Sequence, residues 1–151
     1  MSKSKILFIC VHNSARSRIA EGIVNARCGE FFEAQSAGLE CGHGVNPLAA
    51  AVMEEIGIDI ASKPSQEVFD VYKSGQLFAY VITVCHESDA AGCPIFPGPT
   101  KRLHWPFADP SSFTGAWEEK LDQTRAVRDA IATRIEEWCA EVCQESVAGA
   151  R

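Results

Sequence analysis

Apolar residues recur along the chain in two rhythms. The run KILFI, residues 5–9, is apolar at every position after its lysine, the pattern of a strand covered on both faces. From Arg16 to about Cys28 the period lengthens. Ile19, Ile23 and Ala26 fall on one helical face, and Gly29 stops the helix. FFEAQSAG, residues 31–38, predicts a second strand that ends in small residues. ECGHGVNP is punctuated as a loop by Gly42, Gly44 and Pro47, and Asn46 caps a helix through LAAAVMEEIG with Pro47 at its first position. A short helix is expected over SQEVFDVYKSG, and FAYVITVC is a β-branched, aromatic strand. HESDAAGCPIFPGPT holds too much Gly and Pro for regular structure throughout, and KRLHWPF predicts a short last strand. From Ala116 to about Gln144, Trp117, Leu121, Val127, Ile131, Ile135, Trp138 and Val142 form one apolar stripe of a long helix, after which SVAGAR is expected to fray.

Strands alternating with helices argue for a parallel sheet of four strands covered on both faces, in a single α/β domain over residues 1–151. At 46% hydrophobic residues the chain can build one core, and a formal charge of −6 argues against general nucleic-acid binding. No run reaches the length of a membrane span, and MSKSKILFICVHN has too short an apolar stretch for a secretory signal, so a cytoplasmic protein is expected. Seven cysteines in that compartment point to catalytic, redox or metal-binding thiols rather than to a disulfide framework.

The chemistry concentrates in CVHNSARS, residues 10–17, between the first strand and the first helix. Ligands of open α/β sheets bind at the carboxyl ends of strands. A loop of small residues there turns successive N–H groups inward, so Val11, His12, Asn13, Ser14, Ala15, Arg16 and Ser17 are expected to surround an oxyanion such as phosphate or arsenate. Arg16 adds a planar fork for two oxygens. Asn13 tolerates left-handed backbone, and His12 contributes its backbone N–H more than its ring. The same field favours a thiolate at Cys10, to which Ser17 can donate. Cys10 is thus a nucleophile aimed at the central atom of the anion. The blander alternative makes Cys10 a small strand residue and Arg16 a surface helix residue.

With SAGLE, GIDI, VITVC, the GCP after it and HWPFADPS, the loop resembles the low-molecular-weight tyrosine phosphatase family, and more closely its arsenate reductase branch. The resemblance runs from Lys5 to about Gly115. The phosphatases typically carry a second cysteine before the loop arginine and a proline after its serine, where this chain has Ala15 and Arg18. Asp109-Pro110 is followed by Ser111, Ser112 and Phe113 rather than by tyrosines that would pack on an aromatic substrate. The resemblance implies that Asp109 protonates the departing oxygen. It also implies that Cys85 and Cys93, one residue farther apart than in the usual form, match the relay cysteines of thioredoxin-coupled arsenate reductases. Two-electron reduction of arsenate needs such extra thiols and a hydrolase does not.

The expected partners are therefore arsenate and thioredoxin, with no cofactor and a monomeric chain. The runner-up is a phosphatase using Cys10 and Asp109 alone, and a non-catalytic binding module is the third class. A zinc site from Cys85, His86 and Cys93 lacks a fourth ligand at a standard spacing. Asn13, Glu21 and Ser36 match positions that surround a potassium ion in some family members, with Gln66 where a further acidic ligand is expected. His104 and Trp105 are expected beside the acid loop. Cys139 and Cys143, four apart on the last helix, read as packing or incidentally exposed residues ahead of redox ones, and Cys28 and Cys41 have no assigned partner.

Overall fold

The computed structural model describes residues 3–42, 44–86 and 90–149. Its centre is β1 (Ser4–Cys10), paired in parallel with β2 (Phe32–Gly38) on one side and β3 (Tyr80–Thr83) on the other. The edge strand β4 (Lys101–His104) extends the sheet to the order β2-β1-β3-β4, all parallel, as expected. Alternation along β1 explains why KILFI has no polar position after its lysine. Ile6 and Phe8 enter the main core, which they share with α1 (Arg16–Arg27), α2 (Pro47–Glu54) and α4 (Trp117–Gly149). Leu7 and Ile9 enter a second core with Val68 and Val71 of α3 (Val68–Lys73), Phe78, Val81 and Phe96. Helices therefore cover both faces.

The cap of α2 forms as its sequence predicts. Pro47 opens the helix, and the Asn46 side chain accepts from the N–H groups of Leu48 at 2.8 Å and Ala49 at 3.3 Å. Three boundaries differ from expectation. The third strand is only four residues long, and so is the edge strand that it pairs with. Soon after β4 comes Pro106, which has no N–H for a ladder. The last helix runs past Gln144 to Gly149, because nothing between them breaks a helix. The first four residues of SVAGAR are thus helical, and Ala150 and Arg151 lie outside the described residues. His43 of the Gly-rich loop and residues 87–89 of the segment after β3 also lie outside them.

Candidate active site

The carboxyl end of β1 delivers Cys10 to the floor of the expected loop, almost fully buried. Its Sγ lies 2.9 Å from Ser17 Oγ. Asn13 Nδ2 donates to the same oxygen at 2.8 Å, so the Ser17 proton is left to point at the sulfur. Asn13 is the one non-glycine among the described residues with positive φ, at 52°. Its side chain locks the turn from inside, with Nδ2 donating to Ser36 Oγ at 2.9 Å and Oδ1 accepting from Gln66 N at 3.0 Å. Outside, Leu39 N donates to Cys10 O, Glu40 N to Val11 O and Asn46 N to Ser14 O. His12 Nδ1 is 2.8 Å from Glu40 O. No side chain caps α1, whose N-cap position is Ala15, so its first-turn N–H groups remain for a ligand's oxygens.

Arg16 is 3% exposed, which removes its reading as a surface helix residue. It reaches the acid loop instead. Nη1 donates to Phe107 O and Nη2 lies by Asp109 Oδ2, both at 3.4 Å. Asp109 caps a 3-10 turn (Pro110–Ser112), its Oδ1 accepting from Ser111 N at 2.9 Å. One carboxylate oxygen is therefore pinned to backbone while the other faces the guanidinium. This is a nucleophile, an anion fork and a carboxyl group around one loop, the set needed to attack a tetrahedral oxyanion and protonate the oxygen that leaves.

The three thiols of the expected relay are not all together. Cys85 lies just beyond β3, next to β1 in the sheet, and is buried in the main core with Cys10. Cys93 packs against the second core, where burial pushes its thiol up and Arg102 pulls the other way. Thr83 Oγ1 and His104 Nδ1 are 2.6 Å apart, and Trp105 is a core residue under Arg134, 5.1 Å from the ring centre. Of the suggested potassium ligands, Asn13 and Ser36 meet, and Glu21 is ion-paired with Lys63 at 2.8 Å. Among the described residues no group of three or more His, Cys, Asp or Glu is arranged to hold a metal ion.

Arg18 was legible only as the replacement of a proline, yet it is the main brace of the loop. Buried, it donates to Asn13 O at 2.6 Å, Ile60 O at 2.9 Å, Lys63 O at 2.5 Å and Ser65 Oγ at 2.9 Å. Burial works against its charge and Glu21 offsets this. Three of its four partners, Ile60, Lys63 and Ser65, lie over forty residues away, so no local pattern marks it. Cys41 also approaches the site. Its Sγ donates to Gln66 O at 3.2 Å, and burial, then the Glu67 carboxylate, push the thiol up to about 11.

The family model for low molecular weight phosphotyrosine protein phosphatase matches residues 5–148. An arsenate reductase of Halalkalibacterium halodurans is 42% identical over 137 residues, 89% of this chain and 94% of that protein. A solved arsenate reductase in its oxidized state superposes with a TM-score of 0.74 at 28% identity, covering 92% of this chain and 98% of that one. The thioredoxin-dependent arsenate reductase of Corynebacterium glutamicum gives a TM-score of 0.61 at 25% identity, over 89% of this chain and 62% of that one.

Proposed function

The chain belongs to the low molecular weight phosphotyrosine protein phosphatase family, and from that premise we propose that it reduces arsenate to arsenite with electrons from thioredoxin. The relatives named arsenate reductase support the substrate, and the Corynebacterium glutamicum protein supports the electron donor. The observation that carries the reading is the pair of buried thiols, Cys10 and Cys85, at neighbouring strand ends beside an Arg16–Asp109 contact. A hydrolase would need only the first thiol.

Arsenate enters the loop of residues 10–17 and takes over the Arg16 fork. The Cys10 thiolate attacks arsenic, and Asp109 gives a proton to the oxygen that leaves as water. Cys85 then attacks the Cys10 sulfur. The S–As bond breaks, its electron pair stays on arsenic, and arsenite departs as Cys10–Cys85 becomes a disulfide. Cys93 attacks Cys85 in turn and frees Cys10. Thioredoxin's two thiols reduce the Cys85–Cys93 bond. Cys93 packs against the other core, and the exchange requires its Cα to stand about 4.4–6.8 Å from that of Cys85. Lys63 supplies the positive charge beside Glu21, so no monovalent cation enters the scheme. A monomer in the cytoplasm suffices for every step.

Mass spectrometry after one equivalent of arsenate tests the scheme. The parent should yield a Cys85–Cys93 bond, and Cys93→Ser a Cys10–Cys85 bond with one turnover only. Repeated turnover of Cys93→Ser with thioredoxin alone would refute the relay. Aryl-phosphate hydrolysis without any arsenite release would make the chain a phosphatase.

A further inference from the structure

Three cysteines outside this machinery converge where the end of α1 meets α4. Cys28 closes α1, its N–H donating to Val24 O at 2.7 Å and its carbonyl accepting from Phe31 and Phe32 at 3.1 Å each. Next to it in sequence, Arg27 Nη1 bonds Glu136 Oε1 at 2.9 Å. From the other side, the Phe32 and Trp138 rings lie 5.1 Å apart between centres. These contacts bracket Cys28 against Cys139, close enough for the Cys28 thiol to act on that of Cys139. Cys139 is buried in the main core, and Cys28, partly open, packs against it. Cys143 stands one turn farther along α4, on the face of Cys139 and near enough for its charge to be felt there.

We propose that Cys28, Cys139 and Cys143 form a binding site for trivalent arsenic, separate from the site of reduction. As(OH)3 condenses with the Cys28 and Cys139 thiols. Two As–O bonds break, two As–S bonds form, and each thiol proton leaves with a hydroxyl group as water. Cys143 displaces the third hydroxyl in the same way after a side-chain rotation, since the described side chains do not already form a three-ligand cage. Arsenic stays trivalent throughout, so neither oxidant nor reductant is needed.

The surroundings favour this ligand over others. Burial and the neighbouring thiol push Cys139 far up, which keeps it protonated. Metal ions and disulfide exchange both demand thiolates. The condensation consumes neutral thiols and returns their protons in water. The ligand is the product of the reaction proposed above, and the inference rests on that reading for its biological meaning. Its chemistry is tested with arsenite directly, without turnover.

The test uses the full chain carrying Cys10→Ser, Cys85→Ser and Cys93→Ser, which removes the relay thiols. After reduction, incubation with arsenite and desalting, native mass spectrometry should find a single arsenic bound. Adding Cys28→Ala or Cys139→Ala should lower retention at least tenfold, and adding Cys41→Ala should leave it unchanged. Cys28 is the decisive position, because its partial exposure lets the substitution fold even where Cys139→Ala loosens the core. No retention in the relay-free chain, or equal retention without Cys28, would overturn the site. Recovery of Cys28–Cys139 as a disulfide that excludes arsenite would overturn it too. Arsenate turnover by the parent chain reports separately on the reductase reading.

Discussion

Gly38, the last residue of β2, tests how tightly the anion loop is held. A Cβ there would lie 2.8 Å from Asn13 N and 2.9 Å from both His12 C and Val11 O. All three are backbone atoms of the loop, so no side chain can swing aside. Ordinary contact begins at 3.4 Å, and Gly38→Ala therefore has to push the loop back by about 0.6 Å. Overpacking of this kind costs about 1–3 kcal/mol of stability. Misplacing catalytic groups by 1 Å can cost ~10²-fold, so a shift of this size should lower kcat/KM for arsenate about tenfold. Gly75→Ala is the control. At φ +77° it is strained with nothing within 4 Å, and it should lose about 1–2 kcal/mol. Urea unfolding and thioredoxin-coupled arsenite release, measured on both variants, separate the two effects. Parent-like kcat/KM in Gly38→Ala, or an equal loss in Gly75→Ala, would refute the claim that this contact sets the loop.

Other consequences follow from the site. Asp109→Asn should slow single-turnover arsenylation by about two to four orders of magnitude, while arsenate still protects Cys10 from alkylation. Arg18→Leu takes the Arg18 donor from the carbonyls of Ile60 and Lys63 and leaves Asn13 O with the Ser65 hydroxyl at 3.3 Å, and urea unfolding should register a loss of about 3 kcal/mol. Cys41, with its thiol pushed up to about 11, is neutral below that pH, so peptide mapping at pH 8 should find it alkylated slowly. Its rate should climb about tenfold per pH unit toward pH 11, and Glu67→Gln should speed it by removing the carboxylate charge.

Much of this site is written locally. β1, the loop and α1 are contiguous in sequence, so the strand, the left-handed Asn13 and the Cys10–Ser17 contact could all be read from residues 5–28. Asp109 is more than ninety residues away and was legible only through the resemblance, since Asp-Pro alone says nothing about which arginine it meets. The Asn13–Ser36–Gln66 bonds and the brace of Arg18 join segments far apart in the chain, and no periodicity encodes them. The meeting of Cys28 with Cys139 was hidden for the same reason. Strand ends were the least legible feature. β-branched residues continue through Val84, but the short edge strand β4 limits how far β3 can pair.

Cys93 packs against one core while Cys10 and Cys85 share the other, and under the proposed relay this has a consequence for timing. A thiol packed against a different core from Cys10 is not positioned to short-circuit the proposed chain of exchanges. In that relay, oxidising equivalents would pass through Cys85, and only after arsenic had handed them over. The two cores would then work as separate compartments, and a relay built on them would keep its reducing power in reserve instead of discharging it into an idle disulfide.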